Sequence, residues 1–175
     1  MIFDGKDYKV ITTLYRTKGS MNQKLAEHIS EETKERRRTF YIVARNGIQY
    51  FVKEYTDREY GGKLGFPKNI EYEFNETKRL YGAVETKEGI VNVPKTYALE
   101  DNRILFEYLD GYSKSWQGDR LLALVYKWVS EKRIDNYDLN ANNAMIKMIG
   151  DKLDIKMIDF ECSEDRHPMK EMHIE

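Results

Sequence analysis

Asp138 and Asn143 stand in the run Ile134-Asp135-Asn136-Tyr137-Asp138-Leu139-Asn140-Ala141-Asn142-Asn143, and Asp159 closes the apolar stretch Met157-Ile158-Asp159. An Asp, an Asn and a second Asp of this kind suit phosphoryl transfer from ATP. One carboxylate orients the acceptor hydroxyl and receives its proton, while an amide oxygen and the other carboxylate hold the metal that bridges the phosphates. The D-x-x-x-x-N spacing alone is common and by itself reads more readily as a polar turn. Its surroundings carry more information. A helical pattern precedes it, the apolar Ala144-Met145-Ile146 follows it, and a second apolar strand ends at Asp159. A hairpin there returns the chain to the loop, so that Asp159 can face the same metal as Asn143. Asp and Asn oxygens are hard ligands suited to magnesium, which keeps several waters and takes the rest of its shell from phosphates.

A phosphate also needs a cation. Lys53 lies in Tyr50-Phe51-Val52-Lys53-Glu54-Tyr55, on the face that Phe51 occupies if the segment is a strand. A surface lysine near a strand end is the ordinary reading; the functional one is a lysine that holds the ATP phosphates and needs a carboxylate to fix it. The helical segment that follows offers Glu73 and Glu76, one turn apart on one face. Glu76, four residues before Leu80, is the first choice.

The elements that must position these residues follow from pattern. Tyr8 to Tyr15 reads as a strand, and 21–38 as a charged segment with weak helical spacing. Thr39 to Ala44 and Ile48 to Tyr55 flank Asn46-Gly47 and form a hairpin. Thr56 to Asn69, with three glycines and Pro67, reads as a loop. Ile70, Phe74, Thr77, Leu80 and Tyr81 give a helix over 70–81 that stops at Gly82. Val93 to Leu99 is extended, Asp101-Asn102 a turn, Arg103 to Leu109 a strand and Asp110 to Gly118 a linker. Leu121 to Lys132 is a helix with Leu121, Leu124, Val125 and Trp128 on one face. Ala144 to Ile149 and Leu153 to Ile158 pair around Gly150-Asp151. Runs of antiparallel strands with few helices indicate an α+β fold rather than a doubly wound parallel sheet.

In that order the motifs resemble the protein-kinase-like superfamily, which includes protein kinases and small-molecule kinases such as choline and aminoglycoside kinases. Val52-Lys53 is similar to the phosphate-binding lysine of the third strand, and Glu76 to its ion-pair partner on the next helix. Ile104 to Gly111 is similar to the hinge, where the backbone at Glu107, Tyr108 and Leu109 would meet adenine. Asp138 and Asn143 match the catalytic-loop pair, and Ile158-Asp159-Phe160-Glu161 the metal-binding Asp motif, with Glu where many members have Gly. The likeness covers about residues 40–161.

It implies a single minimal kinase-like domain: an antiparallel N-lobe sheet with one helix over 1–109, a reduced C-lobe over 110–175, and nucleotide in the cleft between them. It also implies ATP and Mg2+ as cofactors and a hydroxyl acceptor. Lys53, Glu76 and Asp138 would be catalytic, and Asn143 and Asp159 would bind the metal. The chain departs from the family in having no G-x-G-x-x-G loop. Gly19 and Ser20, after Lys18, are the substitutes that offer N–H groups to a phosphate. Asn136 stands where His is common and Asn140 where serine/threonine kinases place Lys, which points to the atypical or small-molecule branches. The chain past Asp159 is short for an activation segment and the usual C-lobe helices. A binding module of pseudokinase type, acting by occupancy, is the alternative.

Bulk properties set the outer limits. With 175 residues and 41% hydrophobic content, one domain with a packed core is expected. A net charge of −1 argues against a general nucleic-acid binder, although Glu35-Arg36-Arg37-Arg38 is locally basic. The lone Cys162 excludes an internal disulfide and fits a reducing, cytoplasmic setting. The start MIFDGKDYKV lacks the features of a signal peptide, and no apolar run approaches the ~20 residues of a membrane span. The three histidines lie far apart, without metal-ligand spacing. The acceptor stays open between small molecule and protein, and a reduced C-lobe leaves room for a second copy to cover an exposed apolar patch.

Overall fold

The computed structural model describes residues 1–16, 38–55, 66–113, 118–134, 143–158 and 160. Along the chain run β1 (Ile2–Phe3), β2 (Lys6–Asp7), β3 (Lys9–Arg16), β4 (Arg38–Arg45) and β5 (Ile48–Glu54), then helix α1 (Phe66–Leu80). Next come β6 (Val84–Glu85), β7 (Gly89–Asn92), β8 (Thr96–Glu100) and β9 (Arg103–Glu107). Helix α2 (Gly118–Lys132), β10 (Ala144–Ile149) and β11 (Lys152–Met157) complete the described elements. Sheets dominate and the architecture is α+β. No helix among the described residues is long and apolar enough to cross a membrane.

Two compact units divide the chain, one of residues 1–74 and 96–108, the other of residues 75–95 and 109–175. In the first, five antiparallel strands lie in the order β3-β4-β5-β9-β8. Asn46 and Gly47 take φ of 53° and 77°, the left-handed pair that a two-residue hairpin needs, and fix the β4–β5 register at Arg45↔Ile48. Alternation along the strands fills both faces of this sheet. Val43, Val52, Leu105 and Ala98 pack with Phe3 of β1 and with Tyr8, which lies between β2 and β3. On the opposite face Tyr55, Ile104 and Phe106 pack with Ile70 of α1, joined by Phe51, Phe74 and Leu99.

Helix α1 starts four residues earlier than its apolar spacing indicates, at Phe66. Pro67 does not break it, because a first-turn proline has no hydrogen bond to lose and a φ already suited to the helix. At the other end Tyr81, counted as part of the apolar face, is exposed.

In the second unit β10, β11, β7 and β6 form a sheet in that order. Its outer pair is the expected hairpin, with Ala144 opposite Met157 and Ile149 opposite Lys152. The pairing of β11 with β7 is parallel, Leu153 opposite Gly89 through Lys156 opposite Asn92. It brings residues 75–95, assigned to the N-lobe by sequence, into this unit. Local pattern cannot show such a pairing, since its two strands are far apart in the chain. Trp128, Leu121, Leu124 and Val125 of α2 pack with Ile155, Met157, Val91 and Leu80 in the core. Beyond β9 the chain is pinned at once: Ser113 and Ile146 exchange backbone hydrogen bonds of 2.9 and 2.7 Å, Tyr112 Oη donates to Asp154 at 2.6 Å, and Lys147 Nζ donates to the Asp110 carbonyl at 2.9 Å.

Candidate functional site

Lys53 lies near the end of β5, the central strand of the first unit's five-stranded sheet, with Phe40 of β4 and Ile104 of β9 as its neighbours across the ladders. Strand alternation sends Val52 to one face and Lys53 to the other, with Phe51 and Tyr55. A lysine there is surrounded by apolar groups, and only 4% of it is exposed. An isolated ammonium in such a place is costly unless it is paired and hydrogen-bonded.

The partner is Glu73. Its two carboxylate oxygens each accept from Lys53 Nζ at 2.9 Å, and Glu73 is itself 2% exposed. Helical spacing explains the choice. Over residues 70–80 of α1, Ile70, Glu73, Thr77 and Leu80 are the buried ones, so Glu73 shares the apolar stripe with Ile70 and Thr77.

Glu76, selected from sequence as the partner, is not bound to Lys53. It accepts from Arg79 Nε at 2.8 Å and from Arg79 Nη2 in an i,i+3 pair at the helix surface. The signal for Glu73 was present in the sequence: it is the acidic residue inside the apolar period, where Glu76 falls outside it. Tyr55 went unread as a site residue. It is fully buried, and Lys53 Nζ lies 5.1 Å from its ring centroid.

The hinge candidates Glu107, Tyr108 and Leu109 are half-buried. Glu107 ends β9 opposite Tyr50, and the division between the two units falls between Tyr108 and Leu109.

In the second unit Asn143 directly precedes β10. Its carbonyl accepts the Ile158 N–H at 2.8 Å, which extends the β10–β11 ladder by one step past Ala144 and Met157. Phe160 is buried, its ring 6.2 Å from that of Trp128. The residues on either side of position 159 are therefore fixed, one by the ladder and one by the core. Asp159 lies outside the described residues, as do Asp138, Gly19 and Ser20. By donor chemistry, an amide oxygen at 143 and a carboxylate at 159 are of the type magnesium takes when phosphates and water supply the rest of its shell. A recess of the second unit is lined by Thr86, Lys87, Glu88, Ala123, Leu124 and Lys127; none of the candidate residues lines it.

No protein-family model, curated protein or solved structure matches the chain.

Proposed function

We propose that this chain is an ATP- and magnesium-dependent phosphotransferase with a minimal kinase-like fold, acting on a hydroxyl acceptor. The observation that carries the reading is the buried Lys53–Glu73 pair. Its burial does not follow from stability. An apolar pair of similar volume fills such a position as well or better, because desolvation of two charges offsets most of their attraction. A strand lysine held by a glutamate of the following helix is instead the arrangement that a phosphate-binding cation needs, and it is the pairing the family resemblance implies, with Glu73 in place of Glu76.

In this reading Lys53 holds the α- and β-phosphates and Glu73 orients it. Backbone groups at Glu107 to Leu109 meet the adenine. Asn143 and Asp159 would hold magnesium, whose charge would offset that of the phosphates. Asp138 orients the acceptor hydroxyl and takes its proton as the new O–P bond forms and ADP departs. Positioning and charge neutralisation supply the rate.

The test is calorimetric titration of ATP, with and without magnesium, into wild type, Lys53→Met and Asp159→Ala. A charge-assisted contact is worth about 1.5–3 kcal/mol, so each variant is expected to bind MgATP roughly ten- to a hundredfold more weakly. Folded wild type that binds no nucleotide overturns the proposal and favours a module that binds a protein partner.

A further inference from the structure

Tyr55 follows Lys53 by two residues, so their side chains leave the same face of the sheet. It lies one residue past the end of β5, yet its backbone is held on both sides by the turn between β8 and β9. The Tyr55 N–H donates to the Asn102 carbonyl at 2.9 Å, and the Asn102 side-chain amide donates to the Tyr55 carbonyl at 2.6 Å. The ring is packed with Ile70, Ile104 and Phe106 and has no exposed surface. Backbone clamp and packing together leave it a single position. Lys53 Nζ, 5.1 Å from the ring centroid, is the same ammonium that both Glu73 oxygens contact.

The face of an aromatic ring is the negative part of its quadrupole and attracts a cation, the more so where water is excluded. A lysine has a long flexible stem, and the entropy of ordering it opposes ligand binding unless that order exists beforehand. Glu73 holds the ammonium through two hydrogen bonds, and the rigid ring adds a second contact that orders it further.

We infer that Tyr55 is a positioning residue for Lys53: its ring face holds the ammonium so that a nucleotide phosphate meets a lysine already ordered. This rests on the nucleotide reading above for its functional half, and on the Lys53–Tyr55 contact alone for its structural half.

The test keeps the ring's shape and weakens its quadrupole. Position 55 is filled with phenylalanine and then with its mono-, di- and trifluorinated derivatives, whose volumes differ little, so that packing and folding are preserved. Two quantities are read on each protein: the affinity for MgATP by calorimetry, and the rate at which acetic anhydride labels the Lys53 amine without nucleotide, followed by mass spectrometry. Tyr55→Phe is the reference against which the fluorinated proteins are compared. Along the fluorinated series the affinity is expected to fall stepwise, by about tenfold in all, or ~1.4 kcal/mol, while the labelling rate rises stepwise.

Packing alone predicts no trend in either. A flat affinity series in proteins that bind MgATP overturns the inference and leaves the nucleotide reading intact. If wild type binds no MgATP, the nucleotide reading fails and the labelling series decides: a graded rise upholds the hold of Tyr55 on Lys53, and a flat series overturns it.

Discussion

Lys53 and Glu73 are a pair in which each member is tolerable only because of the other. With Glu73 2% and Lys53 4% exposed, removing either leaves a charge without its counter-ion in an apolar setting, at a cost of about 3–5 kcal/mol. Glu73→Leu is therefore expected to lower the stability of the chain by about that amount in urea unfolding. The double variant Lys53→Met/Glu73→Leu recovers most of the loss, since two apolar groups replace two buried charges. Glu76→Gln, which breaks only the surface pair with the half-exposed Arg79, is expected to cost under about 1 kcal/mol. A Glu76 variant as damaging as the Glu73 variant would show that the assignment of partners is wrong. The identity of the partner was legible in the sequence, since the apolar period of α1 passes through position 73 and not through position 76. Spacing from Leu80 alone favoured Glu76, and that spacing describes a surface row as well as a buried one.

At the scale of elements, what is local in the chain is what a reader of the sequence recovers. The hairpins at Asn46-Gly47 and Gly150-Asp151 and the helices α1 and α2 follow from turn chemistry and apolar period over a few residues. Other features escape. The strands β1, β2 and β6 are two residues each, too short to show a period, and the four-residue β7 shows none either. The parallel ladder of β7 with β11 depends on a strand more than fifty residues away, and nothing near Gly89 announces it. Gly89 is nonetheless where that ladder is most exacting. A Cβ built there would sit 2.3 Å from the Leu153 carbonyl oxygen and 3.0 Å from its Cβ. Backbone cannot yield as a flexible side chain would, so Gly89→Ala is expected to force β7 away from β11 and to cost about 1–3 kcal/mol in urea unfolding. Faster amide exchange should appear in β11 at Leu153, whose N–H donates to the Glu88 carbonyl at 3.0 Å. Lys87→Ala, an exposed change beside it, is expected to stay within about 0.5 kcal/mol of wild type. Equal stability of the Gly89 and Lys87 variants would mean that the parallel ladder does not form.

For the molecule as a whole, charge places the phosphate problem at single residues. A net charge of −1 supplies no general attraction for a polyanion, so under the proposed function nucleotide affinity would come from groups such as Lys53 that are shielded from screening. The same consideration separates an enzyme from a module that binds and does nothing more. Under the proposed function Asp138 makes its contact with the acceptor hydroxyl rather than with the nucleotide, so its loss should leave the bound state intact and raise only the barrier. Asp138→Ala is accordingly expected to bind MgATP within about threefold of wild type, less than half the ~1.4 kcal/mol of a tenfold change. It is expected to lose at least about a hundredfold in turnover, in line with the general-base contribution to such steps. The measurement is ADP release with a panel of hydroxyl acceptors, run beside calorimetry on the same preparations. Turnover unchanged in Asp138→Ala removes Asp138 from the reaction. Metal-dependent binding by wild type with no turnover on any acceptor, and none lost in the variant, identifies a domain that acts by occupying its ligand, in which Lys53 and Glu73 serve binding alone.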